Sequence, residues 1–103
     1  MQNSDKAVKE KYKKDFANVR LLINDFDPCG LIESGAPIDE YDSLNHHVLS
    51  MVYNSKAKWE IREKILYEIK HYYGCGDVEE IKEPFLTSLE KFLDSVINIM
   101  PSR

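Results

Sequence analysis

This 103-residue chain has only two cysteines and no long apolar run. No run approaches the roughly 20 apolar residues that a transmembrane helix needs, so we expect no membrane association. The N-terminal stretch MQNSDKAVKEKYKK lacks the apolar segment of a signal peptide, which predicts a cytoplasmic protein. Two cysteines are too few for a disulfide framework, so Cys29 and Cys75 are expected to be free thiols in a reducing compartment.

The motifs of several site classes are also missing. The chain has no Walker loop and no G-x-G-x-x-G motif, so no phosphate-binding loop is predicted. Zinc sites usually show C-x-x-C or H-x3-H spacing, whereas His46 and His47 are adjacent and would point about 100° apart on a helix. We therefore expect neither a metal nor a cofactor.

The hydrophobic pattern is helical throughout. Apolar residues make up 43% of the chain and charged residues 31%, as in an ordinary soluble domain, and this length without internal repeats predicts one domain, residues 1–103. No segment alternates convincingly with a period of two, whereas four segments place apolar residues at steps of three and four. These stripes are Tyr12, Phe16, Val19, Ile23 and Phe26; Leu44, Val48, Met51 and Val52; Ile61, Ile65, Leu66, Ile69, Tyr72 and Tyr73; and Phe85, Leu89, Phe92, Leu93, Val96, Ile97, Ile99 and Met100.

The sequence thus predicts an all-α fold: about four helices in a small bundle, with one long structured loop between helices 1 and 2. Proline, glycine and capping residues set the expected helix ends. The predicted boundaries are a first helix from Ser4 or Asp5 to just before Pro28, a second from Asp42 or Ser43 to about Asn54, a third capped by Ser55 over about 56–73 with Gly74 in a left-handed conformation, and a fourth from Pro84 to just before Pro101.

The loop DPCGLIESGAPIDEYD, residues 27–42, contains five carboxylates and no Lys or Arg. Loops of this length are uncommon in compact domains and are often functional. A calcium loop beginning at Asp25 would need oxygen ligands where Cys29 and Ala36 stand, so the calcium pattern fails.

Catalysis is not predicted either. Acid–base chemistry by Asp39, Glu40 and Asp42 would need an enclosed cleft, and these carboxylates are expected to be exposed. Neither cysteine has a local signature of a nucleophile next to a histidine. We expect no catalytic residue and no enzyme, with a small hydrolase as the least favoured class.

A structural role for part of the loop follows from its turn chemistry. Asp27 before Pro28 favours a turn, and the two glycines suit backbone with positive φ. The expected arrangement is then as follows: Leu31, Ile32, Ala36 and Ile38 close the end of the bundle; Asp39 and Asp42 cap the second helix with Tyr41 packed between them; and Glu33, Asp39 and Glu40 face outward.

The distribution of charge indicates the kind of partner. Residues 25–42 contain six carboxylates without a basic residue, and a second acidic cluster at Asp77, Glu79, Glu80 and Glu83 is relieved only by Lys82. Such patches repel phosphate backbones, so no direct nucleic-acid binding is expected, whereas a basic protein would be attracted. A merely solvated acidic face is the alternative.

The stretch NDFDPCGLIESGAPIDEYD resembles the hallmark -DP-GLI--GAP-DEYD- of a small helical bacterial family of unknown function, common in Bacillus-type genomes. The resemblance spans about residues 16–74. It implies a corner formed by Asn24, Asp27 and Pro28 and no catalytic residues. Proteins similar to this family also resemble immunity proteins of bacterial toxin systems, including contact-dependent growth inhibition.

Two hypotheses follow. The first is an immunity protein, or antitoxin, that neutralises a basic toxin domain, which we expect to be a nuclease. The second is a housekeeping or regulatory interaction module in which the loop is purely architectural. The identity of the partner and the oligomeric state stay open. The partner-binding residues expected for the first are Glu33, Asp39, Glu40, Tyr41, Asp42, Asp77, Glu79 and Glu80, with Tyr53, Trp59, Tyr72 and Tyr73 as further candidate anchors, of which Trp59 is favoured as a core residue.

Overall fold

The computed structural model describes residues 2–75 and 85–99, with side chains from Lys6 onward. Within these ranges the chain forms four helices and no strand, which confirms the all-α prediction. The helices are α1 (Gln2–Phe26), α2 (Asp42–Tyr53), α3 (Lys58–His71) and α4 (Phe85–Ile97).

Two of the predicted turn residues, Pro28 and Gly74, lie shortly after helix ends, as expected. The first helix ends before Pro28, with Asp27 at φ 48°, and Gly74 follows α3 at φ 72°. The first helix begins earlier than expected, at Gln2, and α3 begins later, at Lys58. The predicted start at Pro84 lies outside the described residues.

The predicted side-chain caps of α2 and α3 are wrong. Tyr41 is the N-cap of α2, and no side-chain bond caps this helix, because the carboxylate of Asp42 binds Arg20 on α1 instead. Ala57 is the N-cap of α3 in extended conformation, while Ser55 lies in the preceding turn at φ 57°.

The core follows the predicted stripes. Helix α1 packs against α2 and α4, α3 packs against the same two helices, and α2 also contacts α4. Leu49 and Tyr41 are buried although no stripe included them, and Met100 lies outside the described residues. The buried hydrophobic residues are Val19, Ile23, Tyr41, Leu44, Val48, Leu49, Val52, Ile61, Ile65, Ile69, Leu89, Phe92, Leu93 and Val96.

Three apolar residues that were expected inside are exposed. Tyr72 is 72% exposed because α3 ends at His71, so Tyr72 no longer follows the phase of the helix. Trp59 is 61% exposed on the outer side of the first turn of α3. Ile38 is 66% exposed, while Leu31 and Ile32 lie against the core and close this end of the bundle instead.

The two cysteines are joined, so the prediction of free thiols is wrong. Cys29 and Cys75 form a disulfide with their Cα atoms 5.7 Å apart and 46 positions apart in the sequence. The sequence could not show this, because the bond depends on the fold bringing the start of the loop next to the end of α3. The cysteine count therefore no longer supports a reducing compartment.

No helix among the described residues is both long enough and apolar enough to cross a membrane.

Candidate partner-binding loop

Asp27 organises the loop from its first residue. Its left-handed backbone turns the chain away from α1, and its carboxylate accepts hydrogen bonds from the N–H groups of Ile32 (3.1 Å) and Glu33 (3.0 Å). The hydroxyl of Tyr41 donates a third bond to Asp27 Oδ1 at 2.7 Å. One carboxylate thus fixes both the middle and the end of the loop.

Tyr41 is the buried counterpart of Asp27. Its side chain is fully buried, and its hydroxyl oxygen accepts hydrogen bonds from the N–H groups of Cys29 (3.1 Å) and Leu31 (3.4 Å). Burial, together with the bond to the Asp27 carboxylate, raises the pKa of Tyr41 to about 12. The prediction that Tyr41 contacts a partner directly is wrong, because no part of it reaches the surface.

Further bonds hold the rest of the loop. Asn24 Nδ2 donates to the carbonyl of Ile38 at 2.8 Å, so α1 supports the second half of the loop from behind. The N–H of Ala36 bonds to the carbonyl of Leu31 at 2.9 Å, and Gly35 takes φ 103°, a conformation that only glycine adopts easily. Loop backbone that is satisfied in this way forms a defined surface.

Asp42 is not a free acidic group. Arg20 on α1 donates to both of its carboxylate oxygens, through Nε at 3.0 Å and through Nη2. The Arg20 bonds hold the pKa of Asp42 below its ordinary value, against a smaller effect of burial. The partner-binding role predicted for Asp42 assumed a carboxylate without a counter-charge. Arg20 on α1 supplies that counter-charge, so the assumption does not hold for Asp42.

Three carboxylates of the loop face outward, as predicted. Glu33, Asp39 and Glu40 are exposed, and none forms an ion pair with any residue that the structure describes. Exposed Ile38 lies next to Asp39 in the chain. These four residues are called the acidic loop face below.

Asp77, Glu79 and Glu80, together with Glu83, lie outside the described residues. Their partner-binding role stays a prediction.

The candidate aromatic anchors divide into two groups. Tyr53 and Tyr73 are half-buried and serve the fold, since Tyr53 donates to Asp15 at 2.6 Å and Tyr73 donates to the carbonyl of Glu40 at 3.4 Å. Trp59 and Tyr72 are exposed. Together with exposed Tyr67, which was not a candidate anchor, they are called the aromatic face of α3 below, with Tyr72 directly after the last residue of the helix.

Sequence reasoning missed Tyr67, which is 52% exposed and has its ring 6.5 Å from that of Tyr72 and 4.2 Å from that of His71. The eight-residue step from Trp59 was the available signal, because residues two helical turns apart share a face.

The adjacent histidines His46 and His47 take separate structural partners. The ring of His46 stacks on Phe16 at 4.2 Å, while Nδ1 of His47 lies in hydrogen-bond contact with the buried carboxylate of Glu68. Lys64 also lies 3.5 Å from that carboxylate. Among the described residues no group of three His, Cys, Asp or Glu side chains could hold a metal ion.

We expect the Asp27 hub to appear in the pH dependence of stability. Burial raises the pKa of Asp27, but the bonds from Glu33, Tyr41 and Ile32 outweigh burial and leave the pKa below its ordinary value of 3.8. A carboxyl whose pKa is lower in the folded state stabilises the fold above that ordinary value and loses this effect as the pH falls through the folded value. The free energy of unfolding should therefore decrease as the pH is lowered past about 4.

Asp27→Asn tests this expectation, since asparagine tolerates the left-handed backbone. The variant should be less stable by about 1–3 kcal/mol at pH 7 and should lose less stability than the wild type between pH 5 and pH 2. Urea unfolding across that range measures both effects, with Asp25→Asn as the control on the exposed neighbour. Equal pH slopes for wild type and Asp27→Asn would contradict the role of Asp27.

Comparisons of the chain with protein-family models, with curated proteins and with solved structures yield no match. The resemblance of residues 16–74 to the helical bacterial family therefore stays a prediction, and the functional argument depends on the geometry of the loop.

Proposed function

We propose that this protein is an immunity protein, which binds a bacterial toxin domain, a nuclease, and neutralises it through the acidic loop face. One observation carries the proposal. Glu33, Asp39 and Glu40 project from a loop whose backbone is bonded from within. None of them forms an ion pair with a described residue, although Arg20 lies near enough to Asp39 to interact with its charge.

The charge of the loop suits a nuclease. A nuclease domain is basic where it holds phosphates, so a carboxylate surface is attracted to the same groove and excludes the nucleic acid from it. Opposite charge also increases the association rate, which matters for an inhibitor that must act before the toxin does.

The rigidity of the loop adds to the expected affinity. Binding by a mobile loop would cost conformational entropy for each residue that becomes ordered. The bonds to Asp27, Tyr41 and Asn24 order this loop before the partner arrives. Most of the electrostatic attraction is then available for binding.

Ile38 supplies an apolar centre to the charged surface. Protein interfaces commonly surround a water-excluding apolar contact with polar groups. Exposed Ile38 is adjacent to Asp39 and two positions from Glu40 in the sequence. We propose that it inserts between the aliphatic stems of Lys and Arg side chains on the toxin.

The proposed place of action is the cytoplasm, where an incoming nuclease would find its substrate. Cytoplasmic thiols are normally kept reduced, so the Cys29–Cys75 bond would form there only under oxidising conditions.

The test begins with co-purification from native cells and identification of the bound protein. The recombinant toxin domain is then assayed for nuclease activity with and without the purified chain, and Kd is measured from low to high salt. We expect stoichiometric inhibition and an affinity that falls steeply with salt. A bound protein without toxic activity, or a Kd unaffected by salt, would overturn the proposal.

The aromatic face of α3 favours a second candidate function, an interaction module without a toxin partner. Trp59, Tyr67 and Tyr72 expose large rings of the kind that carry binding energy at protein interfaces. Glu63 and Lys70, which lie four and three positions from Tyr67 in the sequence, are exposed and carry charges of opposite sign. Their charges offset each other, so this face does not select a basic partner. Loss of partner capture in Trp59→Ala, with capture intact after charge reversal in the loop, would favour this second function.

A further inference from the structure

The Cys29–Cys75 disulfide joins the start of the loop that presents the acidic loop face to the end of α3. Cys29 lies near the start of the loop, and Cys75 directly follows Gly74 at the end of α3. Both cysteines are only partly buried. Small thiols and disulfides can therefore reach the bond from solvent.

Among the described residues, few other contacts hold the loop to this end of α3. Tyr73 contributes a long hydrogen bond to the carbonyl of Glu40 at 3.4 Å, and its ring lies 5.4 Å from the ring of Tyr41. The disulfide is the strongest connection between the two segments among the described residues.

Several hydrogen bonds of the loop do not depend on the disulfide. The bonds of the Asp27 carboxylate and of the Tyr41 hydroxyl do not involve either sulfur atom. The N–H of Cys75 is held by the carbonyl of Ile69 at 2.9 Å. Reduction would thus loosen the attachment of the loop to α3. The internal hydrogen bonds of the loop would still form in the reduced protein, but they would open more often without the bond to α3.

We propose that the Cys29–Cys75 pair is a redox-controlled anchor, which fixes the acidic loop face on the bundle when oxidised and loosens it when reduced. The proposal deepens the proposed function, because the loop it controls is the surface that we assign to the toxin. In the cytoplasm, where thiols are normally reduced, the reduced form would bind the toxin, and oxidation would tighten that binding.

The chemistry needs an organic disulfide as the oxidant. One cysteine thiolate attacks a sulfur of the oxidant RSSR, forms a mixed disulfide and releases RSH. The second cysteine then attacks the mixed disulfide at the protein sulfur, which forms the Cys29–Cys75 bond and releases a second RSH. Two electrons and both thiol protons pass to the oxidant, and a dithiol reductant reverses the steps.

The first measurement poises the full chain in glutathione buffers of increasing GSSG content, followed by alkylation of the free thiols and mass spectrometry. We expect one two-electron transition between a form with two alkyl groups and a form with none. The double variant Cys29→Ser/Cys75→Ser is the unlabelled control. Two free thiols in every buffer would overturn the proposal.

The second measurement is amide hydrogen exchange of the two redox forms without denaturant, where loop amides report local opening. The N–H groups of Cys29, Leu31, Ile32 and Glu33 should exchange roughly tenfold or more faster in the reduced form. The double serine variant should match the reduced form in every buffer. Equal loop exchange in both redox forms would overturn the anchor.

A measurement of toxin binding distinguishes a failure of the redox-controlled anchor from a failure of the proposed function. We expect the oxidised form to bind the toxin domain roughly tenfold more tightly than the double serine variant, because a fixed loop loses less conformational entropy on binding. Equal affinities would overturn the control of binding by the anchor. If no form binds the toxin domain, the proposed function fails, while the exchange measurement still decides whether the anchor exists.

Discussion

Replacement of Tyr41 by alanine is expected to lower the free energy of unfolding by about 5 kcal/mol, enough to unfold a chain of ordinary stability. The substitution leaves a cavity in the core and removes the hydroxyl that links Asp27 to the N–H groups of Cys29 and Leu31. Urea unfolding followed by circular dichroism measures the loss.

Tyr41→Phe keeps the ring and isolates the hydroxyl. It leaves the two loop N–H groups without their partner and removes one donor from Asp27, so we expect a loss of about 2–3 kcal/mol. The matched control is Tyr72→Phe, since Tyr72 is exposed and its hydroxyl has no bond among the described residues. Equal stability of Tyr41→Phe and Tyr72→Phe would contradict the central place of Tyr41 in the loop.

Loss of the disulfide is the second large effect. A bond that closes a loop of 46 positions restricts the unfolded chain, and the entropy of loop closure predicts a stabilisation of about 4 kcal/mol. Cys29→Ser should therefore reduce the free energy of unfolding by nearly that amount in non-reducing buffer.

The single and double variants make this test specific to the bond. Either substitution breaks the same disulfide, so Cys29→Ser, Cys75→Ser and the double variant should be about equally stable. With a dithiol reductant, wild type should become about as stable as the variants. Additive losses in the double variant, or a difference from wild type that persists under reduction, would show that side-chain packing and not the bond is responsible.

The fold could be predicted because its signals are local. The stripes of α1, α2 and α4 place apolar residues at helical steps, and Pro28 and Gly74 end their helices by their own backbone preferences. The third helix was predicted to extend to about residue 73, whereas α3 ends at His71, and Tyr72 of its predicted stripe is exposed. No local signal distinguished the outer face of Trp59 from the core face.

The candidate site could be predicted only in part, because its decisive contacts join distant residues. The outward positions of Glu33, Asp39 and Glu40 follow from composition and turn chemistry. The pairing of Arg20 with Asp42 spans 22 positions, and that of Cys29 with Cys75 spans 46. Neither has a sequence motif, so only the packing of the helices reveals them.

The binding role of Tyr41 was a reasonable expectation from composition, because tyrosines are frequent at interfaces. Its position one residue before α2 gave no indication of complete burial. The structure assigns it the opposite role, inside the loop that presents the carboxylates.

Charge reversal on the acidic loop face tests the central claim most directly. The variant Glu33→Lys/Asp39→Lys/Glu40→Lys is compared with wild type for binding to the toxin domain by titration calorimetry at low and high salt. Glu10→Lys is the control, because Glu10 is exposed near the opposite end of α1. At low salt we predict a roughly 100-fold or greater loss of affinity for the triple variant and no loss for Glu10→Lys. At high salt the difference in affinity between the triple variant and wild type should become smaller, because salt screens the attraction. Unchanged affinity of a correctly folded triple variant would contradict the account.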